Sequence, residues 1–108
     1  MDRLDGAALA ELTRREVEKY AGTSFHAKAY PISDEGRQTY VVTGIENEIG
    51  ANHSWIIVQA RVIDDFVVVD EDTVMDKKLV YALLQAGIPR EQIVLAYEGE
   101  AIPIKVDG

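Results

Sequence analysis

The stretch Ile56-Ile57-Val58-Gln59-Ala60-Arg61-Val62-Ile63-Asp64-Asp65-Phe66-Val67-Val68-Val69 decides the fold. β-Branched residues dominate both sides of a short acidic link, the pattern of two strands joined by a tight hairpin. Asp64-Asp65 lacks the glycine that most favours such a turn. Extended back to His53, the first strand places Ile56, Val58, Ala60 and Val62 on one face, and Trp55, Ile57, Gln59, Arg61 and Ile63 on the other. The first face is core. Trp55 and Ile57 make the second face apolar as well, and residues 66–69 are apolar throughout. Either two helices cover opposite faces of the sheet, or both faces lie under loops, or another chain buries one of them. Two short helices would have to split up to cover both faces, which favours association.

Downstream, Asp70-Glu71-Asp72-Thr73 offers a cap, Asp72 or Thr73, for a helix beginning near Val74. Its buried stripe reads Met75, Leu79, Ala82, Leu83 and Ala86. The helix ends at Ala86-Gly87-Ile88-Pro89, where Gly87 can turn left-handed, Ile88 can fold back and Pro89 forbids continuation. Residues 93–97 make a final strand, and 98–108 a loosely ordered tail with a short extended piece around 101–105. Upstream, residues 4–20 form an amphipathic helix with Leu9, Leu12, Val17 and Tyr20 on its apolar side, stopped by Gly22. A partly irregular strand through Phe25, Ala27 and Ala29 into Tyr30-Pro31-Ile32 belongs at an edge, because Pro31 cannot donate to a ladder. Asp34-Glu35-Gly36 turns it, with the glycine free to take positive φ, into a second strand over 39–45, and a polar loop from Glu46 to Asn52 follows. The expected fold is α+β: an N-terminal helix, a mainly antiparallel sheet of four to five strands with hairpins, and a second helix before the last strand.

The chain has 108 residues, 47% of them hydrophobic, enough for one core and one domain spanning 1–108. With 11 Lys+Arg against 19 Asp+Glu the formal charge is -8, opposite in sign to a phosphate-neutralising surface, so direct nucleic-acid binding is not expected. The absence of cysteine removes disulfides, thiolate metal sites and Cys nucleophiles. A charged N-terminus without an apolar leader, and apolar runs far short of a membrane span, give the expectation of a soluble cytoplasmic protein.

Six acids, Asp64, Asp65, Asp70, Glu71, Asp72 and Asp76, occur within 64–76 without an intervening Lys or Arg. Converging carboxylates suit a hard divalent cation, but the intervening strand spreads these groups over about 10–13 Å. The spacing of a helix–loop–helix calcium site is absent. Turn and cap roles explain the acids more simply. His26 and His53 have no orienting acid or nucleophile elbow to make a hydrolase. The glycines at 22, 36, 44, 50, 87 and 99 assemble no phosphate loop. No catalytic, metal or cofactor residue is assigned. The candidate contact residues are the acids Asp64, Asp65, Asp70, Glu71 and Asp72, with Trp55 and Ile57.

From Ile56 to Val69, through Leu79 to Leu84, and then Ala86-Gly87-Ile88-Pro89-Arg90-Glu91-Gln92-Ile93-Val94-Leu95-Ala96-Tyr97, the chain resembles the XisI family of fdxN-element excision controlling factors. The run from Ala86 to Pro89 into Ile93-Val94-Leu95 is its most specific part. Asp64-Asp65 departs from the Asp-Gly that members often carry, and Val68 from an aromatic. The resemblance implies a non-catalytic accessory factor in programmed excision of a DNA element, working beside a separate recombinase and with a companion protein, XisH. A homodimer is a further expectation. The competing expectation is a small metal- or ligand-binding domain or enzyme using residues 64–76.

Overall fold

The computed structural model describes residues 3–23, 27–48 and 51–103. Phe25, His26, Gly50 and residues 104–108 of the expected tail lie outside the described residues. The described chain runs α1 (Gly6–Glu18), β1 (Gly22–Thr23), β2 (Ala27–Asp34), β3 (Thr39–Glu48), β4 (Ala51–Ile63), β5 (Phe66–Asp72), α2 (Leu79–Gln85) and β6 (Ile93–Leu95). The strands form one sheet in chain order, antiparallel from β1 to β5. β6 is parallel to β5 because α2 carries the chain back across the sheet. The expected α+β order is therefore present, with the two-residue β1 added at the edge. Beyond Ala29, β2 has no outer neighbour among the described residues, and Pro31 sits on that open edge.

α1 starts where the Asp5 carboxylate accepts the Ala8 N–H at 2.8 Å. Leu9, Thr13, Glu16 and Val17 face inward. α2 stops as expected: Gly87 has φ 104, Ile88 N–H donates to the Leu83 carbonyl at 3.1 Å, and Ile88 is 1% exposed. Both helices pack on the same face of the sheet, where Leu9, Val17, Leu79 and Leu83 meet Val42, Val58, Ala60, Val62, Val67 and Val69. The alternative of helices on opposite faces is thus overturned.

Three local expectations also change. α2 begins at Leu79, not Val74, because the Asp72 carboxylate accepts both Val74 N–H (3.0 Å) and Leu79 N–H (2.7 Å) and bends the intervening residues into a loop. Met75, placed in the helix stripe by spacing, consequently stands out in solvent at 88% exposure. In the first hairpin the positive φ is at Gln38 (φ 46) and not at Gly36, since Asp34 ties down the turn by accepting Arg37 N–H at 3.1 Å. The last strand is three residues long, and 96–98 turn into a 3₁₀ helix.

A β-bulge changes the faces of β4. The β3–β4 register passes from Val42↔Val58 to Thr43↔Ile56, leaving Ile57 as the extra residue. Side-chain parity inverts across it, so Trp55 and Ile57 join Val58 on the helix side. Gly44 shows this directly: a Cβ there would lie 2.9 Å from the Trp55 ring and 3.1 Å from Ile57 Cδ1. The alternation read from sequence, with Trp55 and Ile57 opposite Val58, is corrected accordingly.

Candidate functional site

The structure separates the acids of residues 64–76. Asp64 forms the hairpin tip with φ 53, a conformation its short polar side chain tolerates. Beside it, Asp65 accepts a hydrogen bond from Arg3 Nη2 at 2.9 Å. At the other end of β5, Asp70 accepts from Arg61 Nε at 2.8 Å and Nη2 at 3.2 Å, a two-pronged pair across β4 and β5. Asp72, 5% exposed, spends its carboxylate on the loop before α2. Glu71 is exposed. Among the described residues no three His, Cys, Asp or Glu side chains converge into a metal-holding group. His53 stacks on Trp55, with ring centroids 5.4 Å apart and planes 22° apart.

Trp55 and Ile57 instead line a cleft of about 350 Å³ on the helix side of the sheet. Its base is the small-residue surface of Gly22, Ala27, Ala29 and Gly44, and Tyr20 forms the wall nearest α1. Glycine at 44 is what lets the indole lie against β3. Tyr20 also borders a second cleft of about 310 Å³, which includes Glu16, Lys19, Asp76 and Lys77. Its hydroxyl donates to the Lys77 carbonyl at 2.6 Å. Burial, with the nearby Asp72 and Glu16 charges, pushes the Tyr20 phenol up to about 12, so it stays a neutral donor at physiological pH.

The opposite face of the sheet has no α-helix on it. Tyr30 and Ile32 of β2 lie there, in register with Thr43 and Val41, and Thr43 in turn pairs with Ile56. Ile32 is 55%, Tyr30 43% and Ile56 40% exposed, an apolar row from β2 and β4 with Thr43 of β3 between Tyr30 and Ile56. Nearer β6 the same face is closed: Val68 and Val94 are 0% and 6% exposed, and Arg61, the register partner of Val68, is fixed by Asp70. Sequence reasoning missed this row because it weighed apolar character on β4 and β5. The available signal was Tyr30-Pro31-Ile32, two large apolar residues at strand spacing on an edge strand.

Arg3, Arg14, Lys19, Arg37, Arg61 and Arg90 are each paired with an acid of the same chain. Much of the positive charge is therefore internally neutralised, leaving the chain's excess of -8 to act outward. Among the described residues no helix is long and apolar enough to cross a membrane.

Residues 5–103 match the family model described as XisI protein. A search of curated proteins finds no match. Among solved structures, the chain is similar to a XisI-like protein from Anabaena variabilis, with TM-score 0.73, 18% identity, and coverage of 82% of this chain and 84% of that one. It is also similar to the fdxN element excision controlling factor XisI from Anabaena variabilis, with TM-score 0.68, 20% identity, and 84% and 85% of the two chains covered. At these identities the likeness establishes the fold.

Proposed function

The chain belongs to the XisI family, and from that premise we propose that it is a non-catalytic controlling factor for excision of a DNA element, acting by contact with an XisH-like protein. The observation that carries this reading is the apolar row Tyr30, Ile32 and Ile56, exposed on a sheet face that neither helix covers. Side chains of this kind on an open face suit a protein interface. The occupant is a basic protein: the net charge is -8, and Glu71, exposed on the strand beyond the row, adds a negative rim. Such a surface steers a cationic partner and repels nucleic acid, so the chain reaches DNA through the proteins bound there. Of the other acids, Asp64 at the hairpin tip adds to the acidic field, whereas Asp65 and Asp70 are paired with Arg3 and Arg61 and Asp72 is turned to the loop before α2.

The test is co-expression with the XisH-like protein of the same cell and measurement of the complex. Ile32→Asp and Ile56→Asp are expected to weaken binding at least about tenfold while leaving the melting temperature of the free chain near its starting value. Affinity should also fall steeply as salt rises. Binding that survives both substitutions would remove the sheet face from the reading, and salt-independent binding would remove its electrostatic part.

A further inference from the structure

Among the described residues β6 is the last strand of the sheet, so its outer edge has no further strand to bond. Two residues nevertheless meet all four backbone groups of Ile93 and Leu95. Ile93 N–H donates to the Arg90 carbonyl, and the Ile93 carbonyl accepts from Arg90 Nη1 at 2.7 Å. Leu95 N–H donates to Glu100 Oε1 at 2.8 Å, and the Leu95 carbonyl accepts from Glu100 N–H at 3.2 Å. Arg90 Nη2 then joins Glu100 Oε2 at 2.9 Å, which makes one strap of the two brackets.

The local chain is shaped to deliver it. The 3₁₀ turn over Arg90–Gln92 sets Arg90 beside the start of the strand. After β6, residues 96–98 turn and Gly99, at φ 93, reverses the chain and returns Glu100 to Leu95. A Cβ at Gly99 would meet nothing within 4 Å, so glycine serves the return and not the packing. As an ion pair the strap adds little stability, since its side chains are 47% and 40% exposed. Its position is what counts. Ile93-Val94-Leu95-Ala96-Tyr97 carries no charge and no proline, the composition that recruits further strands when an edge is bare. The opposite edge of the sheet is interrupted by Pro31, whereas β6 has only the strap.

We propose that the Arg90–Glu100 strap closes a strand-pairing site on β6, and that with the strap removed this edge takes up β6 of a second copy by backbone hydrogen bonding. Two such edges related by a two-fold axis pair antiparallel, each supplying the donors and acceptors that the strap supplies within one chain. The proposal stands independently of the excision reading, because it concerns only the purified chain.

Amide hydrogen exchange at Leu95 and sedimentation equilibrium of the full chain test it. Glu100→Ala removes the acceptor for the Leu95 N–H: in dilute solution that amide should exchange at least about tenfold faster, and on concentration the chain should associate with a constant at least about tenfold above the parent's. Arg90→Ala, which frees the Ile93 carbonyl instead, should also associate. Glu100→Gln keeps an acceptor at Oε1 and should match the parent in both measurements. Exchanging the pair, Arg90→Glu with Glu100→Arg, keeps the opposite charges but offers the Ile93 carbonyl no donor and the Leu95 N–H no acceptor, so it should associate as Glu100→Ala does. Variants Glu100→Ala and Arg90→Ala that keep the parent's mass at every concentration overturn the proposal. So does rescue by the exchanged pair, which would reduce the strap to its charges, or loss of the new association on adding Ile32→Asp, which would place the contact on the open face.

Discussion

Away from β6, the two faces of the sheet are made from the same residue types and end in opposite states. On the helix side Leu9, Val42, Val58, Val67, Leu79 and Leu83 are all 0% exposed, whereas across the sheet Ile32 keeps 55% and Ile56 40% of their surface in water. β-Branched and aromatic residues suit either face of a pleated sheet, so strand propensity cannot distinguish them. What separates them is where the helices land, and α1 and α2 land together. Apolar patterning alone therefore does not say which face of the sheet the helices cover.

Substitutions on the two faces should divide this contrast into stability on one side and association on the other. The largest effect is expected from Leu83→Ala, which removes buried methyl groups from the junction of α2 with the core; a loss of about 3 kcal/mol by denaturant unfolding is expected, and a loss under about 1 kcal/mol would mean that the helix side is loosely packed. Thr13→Val works in the other direction. The Thr13 side chain is 0% exposed and its hydroxyl has no hydrogen-bond partner, so replacing it with a methyl of similar shape should raise stability by about 1 kcal/mol.

Smaller again is an alkaline effect confined to the helix side. Burial, reinforced by Asp72, raises the phenols of Tyr20 and Tyr97 to about 12. Because the folded values lie above the ordinary value of 10.0, the stability linked to them is complete below pH 10 and drains away as pH rises through about 12. Melting temperatures measured across that window should fall less steeply for the Tyr20→Phe, Tyr97→Phe double variant. The smallest change in stability is expected for Ile32→Asp, within about 0.5 kcal/mol of the parent, so a large loss there would show that the open face already supports the monomer.

Much of the fold was legible because its signals are local. The stop at Gly87-Ile88-Pro89 and the hairpin at Asp64-Asp65 depend on neighbours within a few residues, and both stand where spacing put them. The misreadings required long-range information. Asp72 reaches seven residues ahead to the Leu79 N–H, which turns the expected first helical turn into a loop and puts Met75 in water. The extra residue at Ile57 inverts parity in mid-strand, and nothing about three consecutive aliphatics marks which of them is the bulge. Gly44 signals that rearrangement only once Trp55 is known to lie against it. The candidate acids were legible as turn and cap residues, but Arg61 and Arg3, their cationic partners, come from other parts of the chain.

One buried amide has a consequence in time. Gln92, 0% exposed, accepts the Leu4 N–H through its side-chain oxygen at 2.9 Å, and its side-chain nitrogen donates to the carbonyls of Leu4 and Asp65, each at 2.9 Å. The residues joined at Leu4 and Gln92 are 88 positions apart, so the clasp that seats the start of α1 forms only after almost the whole chain is available. Contacts of such separation are entropically late. While the protein is being synthesised, the antiparallel meander can pair step by step, but its first helix must wait for its last strand.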